Sequence, residues 1–295
     1  MIQAVLRSTI RLALRALAAS LCCCVLAACE GLSVTTPEPT TIVIAGSTTM
    51  RPVLGALTEA FARQRPDVLF DLRGGGSALG EEQVRAGQVS LAASTLLPPR
   101  NEAGETANDG LRRIPIGLDG VALVVHSSNP VAGLSLIQLR DLYVGNVLDW
   151  VQLGGTEGEV LLVSREEGSG TRTTFEARVM GDEGVSLTAV VMPTSADVVE
   201  YVAATPQAIG YVSRAYVRDL LDTNAETAAH LGVRMLEVEG RLPTIENVKE
   251  QTYALIQPLY LISADAPQGR VSQFLDFAVS PAGQEIVARY DAPIR

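Results

Sequence analysis

Three times in this chain an apolar run of strand length ends in a turn of Ser, Thr and Gly and is followed by helical periodicity. The runs are Ile42-Val43-Ile44-Ala45-Gly46-Ser47-Thr48-Thr49, Leu72-Arg73-Gly74-Gly75-Gly76-Ser77 and Leu162-Val163-Ser164-Arg165-Glu166-Glu167-Gly168-Ser169-Gly170-Thr171. Strand, turn, helix, repeated, predicts an α/β fold with a parallel sheet and right-handed crossovers. Each turn then sits at the carboxyl end of a strand, where such sheets hold their ligands. A hydroxyl at a helix start caps free N–H groups, and glycine lets a ligand approach the backbone. The helix N-terminus adds partial positive charge. Three such turns, the third with Arg165 four residues ahead of Ser169, predict one shared oxyanion site.

The remaining pattern alternates in the same way. Strands are expected over residues 41–45, 68–72, 89–94, 111–116, 121–126, 160–164, 208–213, 233–238 and 259–263. Helices are expected over 53–64, 78–86, 135–143, 172–180, 197–204 and 244–251, with a terminal pair over 271–279 and 282–289. Two alternating halves predict two lobes with a cleft between them that closes on a ligand. The lobes are expected over 41–115 with 254–295, and over 116–253.

Ahead of this body stands a targeting segment. Arg7, Arg11 and Arg15 precede an apolar stretch over 16–28, which ends Leu26-Ala27-Ala28-Cys29. Residues 1–28 are expected to be a lipoprotein signal, Cys29 the lipidated first residue that anchors the chain to the membrane, and 29–40 a flexible tether. The 4 cysteines are Cys22, Cys23, Cys24 and Cys29, which leaves the body without disulfides or thiolate metal ligands. The chain has 33 acidic against 23 basic residues, and its one lysine is Lys249. Nucleic acid is thereby excluded as a partner. An anion site must rely on local donors, because the overall field repels anions.

Within the turns, the Arg165 guanidinium offers a planar fork to an oxyanion, and Ser169, Gly170 and Thr171 add hydroxyls and helix-start N–H groups. Ser47, Thr48, Thr49 and Ser77 form the other groups, while Arg73 reads as solvated. Glu166 and Glu167 fit a solvated loop or a helix first turn better than a general base. His126 and His230, the only 2 histidines, lack metal-ligand spacing, and Walker, His-Glu-x-x-His and Gly-x-Ser-x-Gly motifs are absent. No catalytic residue, metal or cofactor is expected. Trp150 reads as a packing residue. Asp119 is either a turn residue or an acceptor for the proton of a protonated oxyanion, a role that would reject fully ionised anions.

In their order along the chain these stretches resemble the PstS family, the phosphate-binding lipoproteins of bacterial phosphate ABC importers. Gly46-Ser47-Thr48-Thr49, Gly74-Gly75-Gly76-Ser77 and Asp119-Gly120 carry the resemblance. So do 134–142 with Trp150, Arg165-Glu166-Glu167-Gly168-Ser169-Gly170-Thr171, Ala208-Ile209-Gly210-Tyr211, Pro258-Leu259-Tyr260 and Gly283-Gln284. The resemblance implies a two-lobed periplasmic-binding-protein-like α/β fold, with a mixed sheet flanked by helices in each lobe. It implies a non-enzymatic, extracytoplasmic monomer that captures inorganic phosphate and delivers it to the permease subunits. It carries anion contacts onto Ser47, Thr48, Thr49, Ser77, Arg165, Ser169, Gly170 and Thr171. Two positions depart: Thr95 stands where relatives place Asp or Arg, and Gln257 where they often have Arg. An Asp at 95 would accept the phosphate proton and help exclude sulfate, so Thr95 and Asp119 are the further candidates. Binding of sulfate or molybdate, phosphate sensing, and a secreted phosphatase are the alternative readings.

Overall fold

The computed structural model describes residues 38–294, apart from 102, 107, 222–231 and 265. The leader, Cys29, most of the tether and His230 lie outside the described residues. Among those described, no helix is long and apolar enough to cross a membrane.

The first apolar run forms β1 (Thr40–Gly46), followed by α1 (Arg51–Gln64), β2 (Val68–Gly75), α2 (Ser77–Arg85) and β3 (Leu91–Ser94). β1 pairs in parallel with both β2 and β3, as the strand–helix alternation predicts. Helix α1 buries Val53, Leu54, Leu57 and Phe61. The aromatic face of Phe61 meets Phe274 edge-on, with ring centroids 5.5 Å apart.

β4 (Arg112–His126) is one strand where the sequence suggests two. Gly117 and Gly120 read as breaks, but both mark close approaches within a continuous strand. A Cβ at Gly117 would lie 2.9 Å from the Ala292 carbonyl oxygen, and one at Gly120 would lie 2.7 Å from Pro243 Cβ. β4 ties the two lobes together. Its first half pairs antiparallel with β10 (Ile256–Ser263) and β11 (Ala292–Pro293). Its second half pairs antiparallel with β8 (Ala208–Ser213) and β9 (Val233–Val238). The sheet order is β2-β1-β3-β10-β4-β8-β6-β7, where β6 is Leu161–Arg165 and β7 is Val190–Met192. β6 lies parallel to β8 and β7, while β10 opposes β3, so the sheet is mixed.

The remaining segments clothe this sheet. They include β5 (Gly133–Leu134), α3 (Leu136–Val144) behind its Ser135 capping box, and α4 (Gly170–Phe175). They continue with α5 (Ser195–Ala204), α6 (Ile245–Lys249), α7 (Gly269–Val279) and α8 (Pro281–Val287). The helix expected over 172–180 starts earlier and changes pitch, with α4 passing into a π-turn at Glu176–Met180. The core falls into separate clusters. Ile42, Ile44, Leu57, Leu91, Ile116, Leu261 and Phe274 fill one cluster, and Val121, Leu123, Tyr143, Trp150, Phe175 and Tyr211 another. Ala122 and Val124, on the opposite face of β4, pack with Val163, Val198 and Val212.

Candidate functional site

All three turns land at carboxyl ends of strands and meet in one buried cluster. After β1, Ser47 leads into a single 3₁₀ turn (Thr48–Met50) and then α1, with Pro52 in the first helical turn. After β2, Gly76 at φ 87° caps α2, so Ser77 is the first helical residue rather than the cap. Its Oγ accepts from the Thr95 N–H at 3.1 Å and lies 3.5 Å from Thr95 Oγ1. After β6, Ser169 is a true N-cap and accepts from the Arg172 N–H at 3.4 Å. Of the three expected hydroxyl caps only Ser169 acts as one; the Ser47 and Ser77 side chains are left for other partners.

Contacts join the turns directly. Thr49 Oγ1 and Thr171 Oγ1 lie 2.9 Å apart, and Arg165 Nη2 donates to Thr48 Oγ1 at 3.2 Å. The Ala78 N–H donates to the Gly168 carbonyl at 3.2 Å. Gly170 closes on Thr95 so tightly that a Cβ there would stand 2.0 Å from Thr95 Oγ1. Ser47, Thr48, Thr49, Ser77, Thr95, Arg165, Ser169 and Thr171 are all buried.

Arg165 is the charge at the centre, only 1% exposed. Its Nε and Nη2 donate to the two carboxylate oxygens of Glu166 at 2.9 and 3.0 Å, a bidentate pair. Nη1 donates to Ser195 Oγ at 2.9 Å. The backbone N–H of Arg165 donates to Tyr211 Oη at 3.3 Å, and Tyr211 stacks on Phe175 at 4.2 Å. Burial pushes the Tyr211 phenol up to about 12, so it stays a neutral donor. Glu166 is therefore the partner of Arg165 rather than a solvated loop acid, whereas Arg73 does stay at the surface, paired with Asp71.

Asp119 lies in the middle of β4, fully buried, and neither begins a strand nor makes a turn. It reaches the cluster through Gln257, whose Nε2 donates to Asp119 Oδ2 at 2.7 Å and to Thr171 Oγ1 at 3.2 Å. Burial raises Asp119 to about 6, against the pull of Gln257, Ser213 and Arg214. Its neighbour Asp291 is raised well above the carboxylate range by burial and by the charge of Asp119.

Sequence reasoning missed Ser195, Tyr216 and the partners of Asp119. Ser195 had a signal, because the run Val190-Val191-Met192 stops at Thr194-Ser195 and Thr194 caps α5. Tyr216 had none: its hydroxyl donates to the Thr48 carbonyl at 2.6 Å from 168 residues away. Among the described residues no cluster of His, Cys, Asp and Glu could hold a metal ion.

A two-lobed α/β body with hydroxyl turns from several strand ends around one buried guanidinium is the design of a solute-binding protein. A family model described as a PBP superfamily domain matches residues 33–282, and the chain belongs to that superfamily. The phosphate-binding protein PstS of Bacillus subtilis is 28% identical over 239 residues, covering 81% of this chain and 75% of that protein. A Clostridium perfringens protein, described as a phosphate ABC transporter substrate-binding protein and crystallised with bound phosphate, is 31% identical. It superposes with a TM-score of 0.76 over 87% of this chain and 100% of its own. An ABC-type phosphate transport receptor from Vibrio cholerae is 27% identical, with a TM-score of 0.66 over 86% of this chain and 100% of its own.

Proposed function

We propose that this chain captures inorganic phosphate in the cleft between its lobes and hands it to the permease subunits of an ABC importer. The observation that carries this reading is the Arg165 guanidinium, buried and held by Glu166 and Ser195 while it touches Thr48. Around it stand the hydroxyls of Thr49, Ser77, Ser169 and Thr171 and the Gly170 N–H, a donor set suited to a tetrahedral oxyanion. We assign the phosphate contacts to these residues with Ser47, and the lobes to 41–115 with 254–295 and to 116–253. The similarity to phosphate-binding proteins of transporters supports binding without catalysis and extracytoplasmic placement, and the run Leu26-Ala27-Ala28-Cys29 supports a lipid anchor at Cys29.

A second reading rests on Thr95. A carboxylate there would require a proton from the ligand, and a hydroxyl does not, so sulfate is the competing ligand. Calorimetric titration of the purified chain with phosphate and with sulfate tests both. Saturable phosphate binding with weaker sulfate binding is expected. No binding of phosphate at millimolar concentration would refute the proposal, and tighter sulfate binding would replace it with the second reading.

A further inference from the structure

Asp119 and Gln257 stand opposite one another on β4 and β10, both fully buried, directly behind the hydroxyl pair Thr49–Thr171. An ionised carboxylate has only acceptors, so Asp119 demands the Nε2 of Gln257 and not its oxygen. The second Nε2 proton then goes to Thr171 Oγ1, while Gln257 Oε1 points away and is buried without a partner. Because Thr171 receives that proton, its own hydroxyl proton is free to donate forward, to Thr49 Oγ1 or to an oxyanion.

We propose that Asp119 and Gln257 are positioning residues that fix Thr171 and Thr49 as donors towards a bound oxyanion. This inference rests on the phosphate reading above. Reversal of the amide shows what the carboxylate contributes. With Asp119 protonated, Gln257 Oε1 can take the place of Nε2 and accept from both the carboxyl and the Thr171 hydroxyl. The Thr171 proton then turns away from the ligand. An anion accepts hydrogen bonds only, so it loses one donor outright.

The relay is therefore active when Asp119 is ionised and lost as pH falls through about 6, the value to which burial raises this group. The charged and titratable groups around it are few. Asp291 hydrogen-bonds to Asp119 from beside β11, and Arg214 approaches from the end of β8. Arg218 acts on Asp291, while Tyr253 and Tyr216 stay neutral, with burial raising both phenols.

The test is phosphate titration of the full-length chain and of Asp119→Asn near pH 8 and near pH 5. Phosphate takes up a proton of its own over this range. The same pair is therefore also titrated with sulfate, which is fully ionised at both pH values and isolates the titration of Asp119. The variant is expected to bind about tenfold more weakly near pH 8, as for a lost charge-supported hydrogen bond. The ratio of the two affinities is expected to fall to within about twofold near pH 5. In a Thr171→Val background Asp119→Asn is expected to have no further effect. Equal affinities near pH 8, or a ratio that does not move with pH, would overturn the relay. Absence of phosphate binding by the unsubstituted chain would instead overturn the functional reading. Thermal melts report folding. If Asp119→Asn does not fold, Gln257→Met carries the same comparison, with the same tenfold loss expected.

Discussion

Gly170→Ala is the sharpest steric test of the site. Gly170 does not need a left-handed backbone, so alanine meets no conformational penalty there and only space decides. The new Cβ would stand 2.0 Å from Thr95 Oγ1, 2.9 Å from Ser77 Oγ and 3.1 Å from the Thr95 carbonyl carbon. A hydroxyl can rotate away, but the third neighbour is backbone, so the two turns must separate. Overpacking of this kind costs about 1–3 kcal/mol. That cost falls on the arrangement in which the Gly170 turn meets Ser77 and Thr95, the one to which we assign phosphate binding. Phosphate affinity is therefore expected to drop about 5- to 150-fold. Thr95→Ala removes the nearest atom, so the double variant should recover part of the loss. Calorimetry on the four proteins of the cycle gives the coupling energy, and melts without ligand check that each is folded. Phosphate affinity within twofold of the unsubstituted chain, or a double variant no better than Gly170→Ala, would refute the reasoning.

Two further outcomes follow from the charges. Burial raises Asp119 to about 6 from its ordinary 3.8, so between these values the folded chain holds a proton that the unfolded chain has lost. That contribution to stability is full below pH 4 and lost as pH rises through 6, and it amounts to roughly 2–3 kcal/mol. Urea melts near pH 4 and pH 7.5 should show this fall, with Asp119→Asn reducing it; an unchanged fall in the variant would contradict the assignment. The second outcome concerns salt. Arg165 is neutralised by Glu166 and the chain has a formal net charge of −10, so phosphate meets no attractive long-range field. Raising ionic strength tenfold is expected to change its affinity by less than about threefold, and a steep loss measured by titration in salt would show that free cations do the binding.

The local parts of this site were legible because they obey local rules. Ser/Thr–Gly turns, strand ends and the Ser169 cap can be read from neighbours within a few residues, and so can Arg165 at the end of β6. The boundaries failed where tertiary contact overrides propensity. Gly117 and Gly120 look like breaks, yet they serve β4 by admitting Ala292 and Pro243. Ser77 looks like a cap, yet Gly76 takes that place and frees the Ser77 hydroxyl for Thr95. Glu166 looks solvated because nothing local says that Arg165 will turn back onto it. Asp119, Gln257 and Asp291 come together from three distant segments, and only the antiparallel pairing of β4 with β10 and β11 brings them side by side.

That buried group bears on the question Thr95 raises. A site that replaces a carboxylate by a hydroxyl loses a fixed acceptor, because a hydroxyl donates or accepts according to what its neighbours leave it. Ser77 and Thr95 lie 3.5 Å apart, and either can be the donor. Thr49 and Thr171 share the same ambiguity at 2.9 Å. What distinguishes the second pair is the amide behind it, whose orientation an ionised Asp119 dictates. Selectivity in such a site depends less on which side chains line it than on which way their protons point. A ligand bearing a proton of its own can match an inverted hydroxyl, whereas a fully ionised one cannot. On the phosphate reading, Thr95 would leave room for a protonated phosphate oxygen, and the proposed Asp119 relay would keep donors facing the ionised ones.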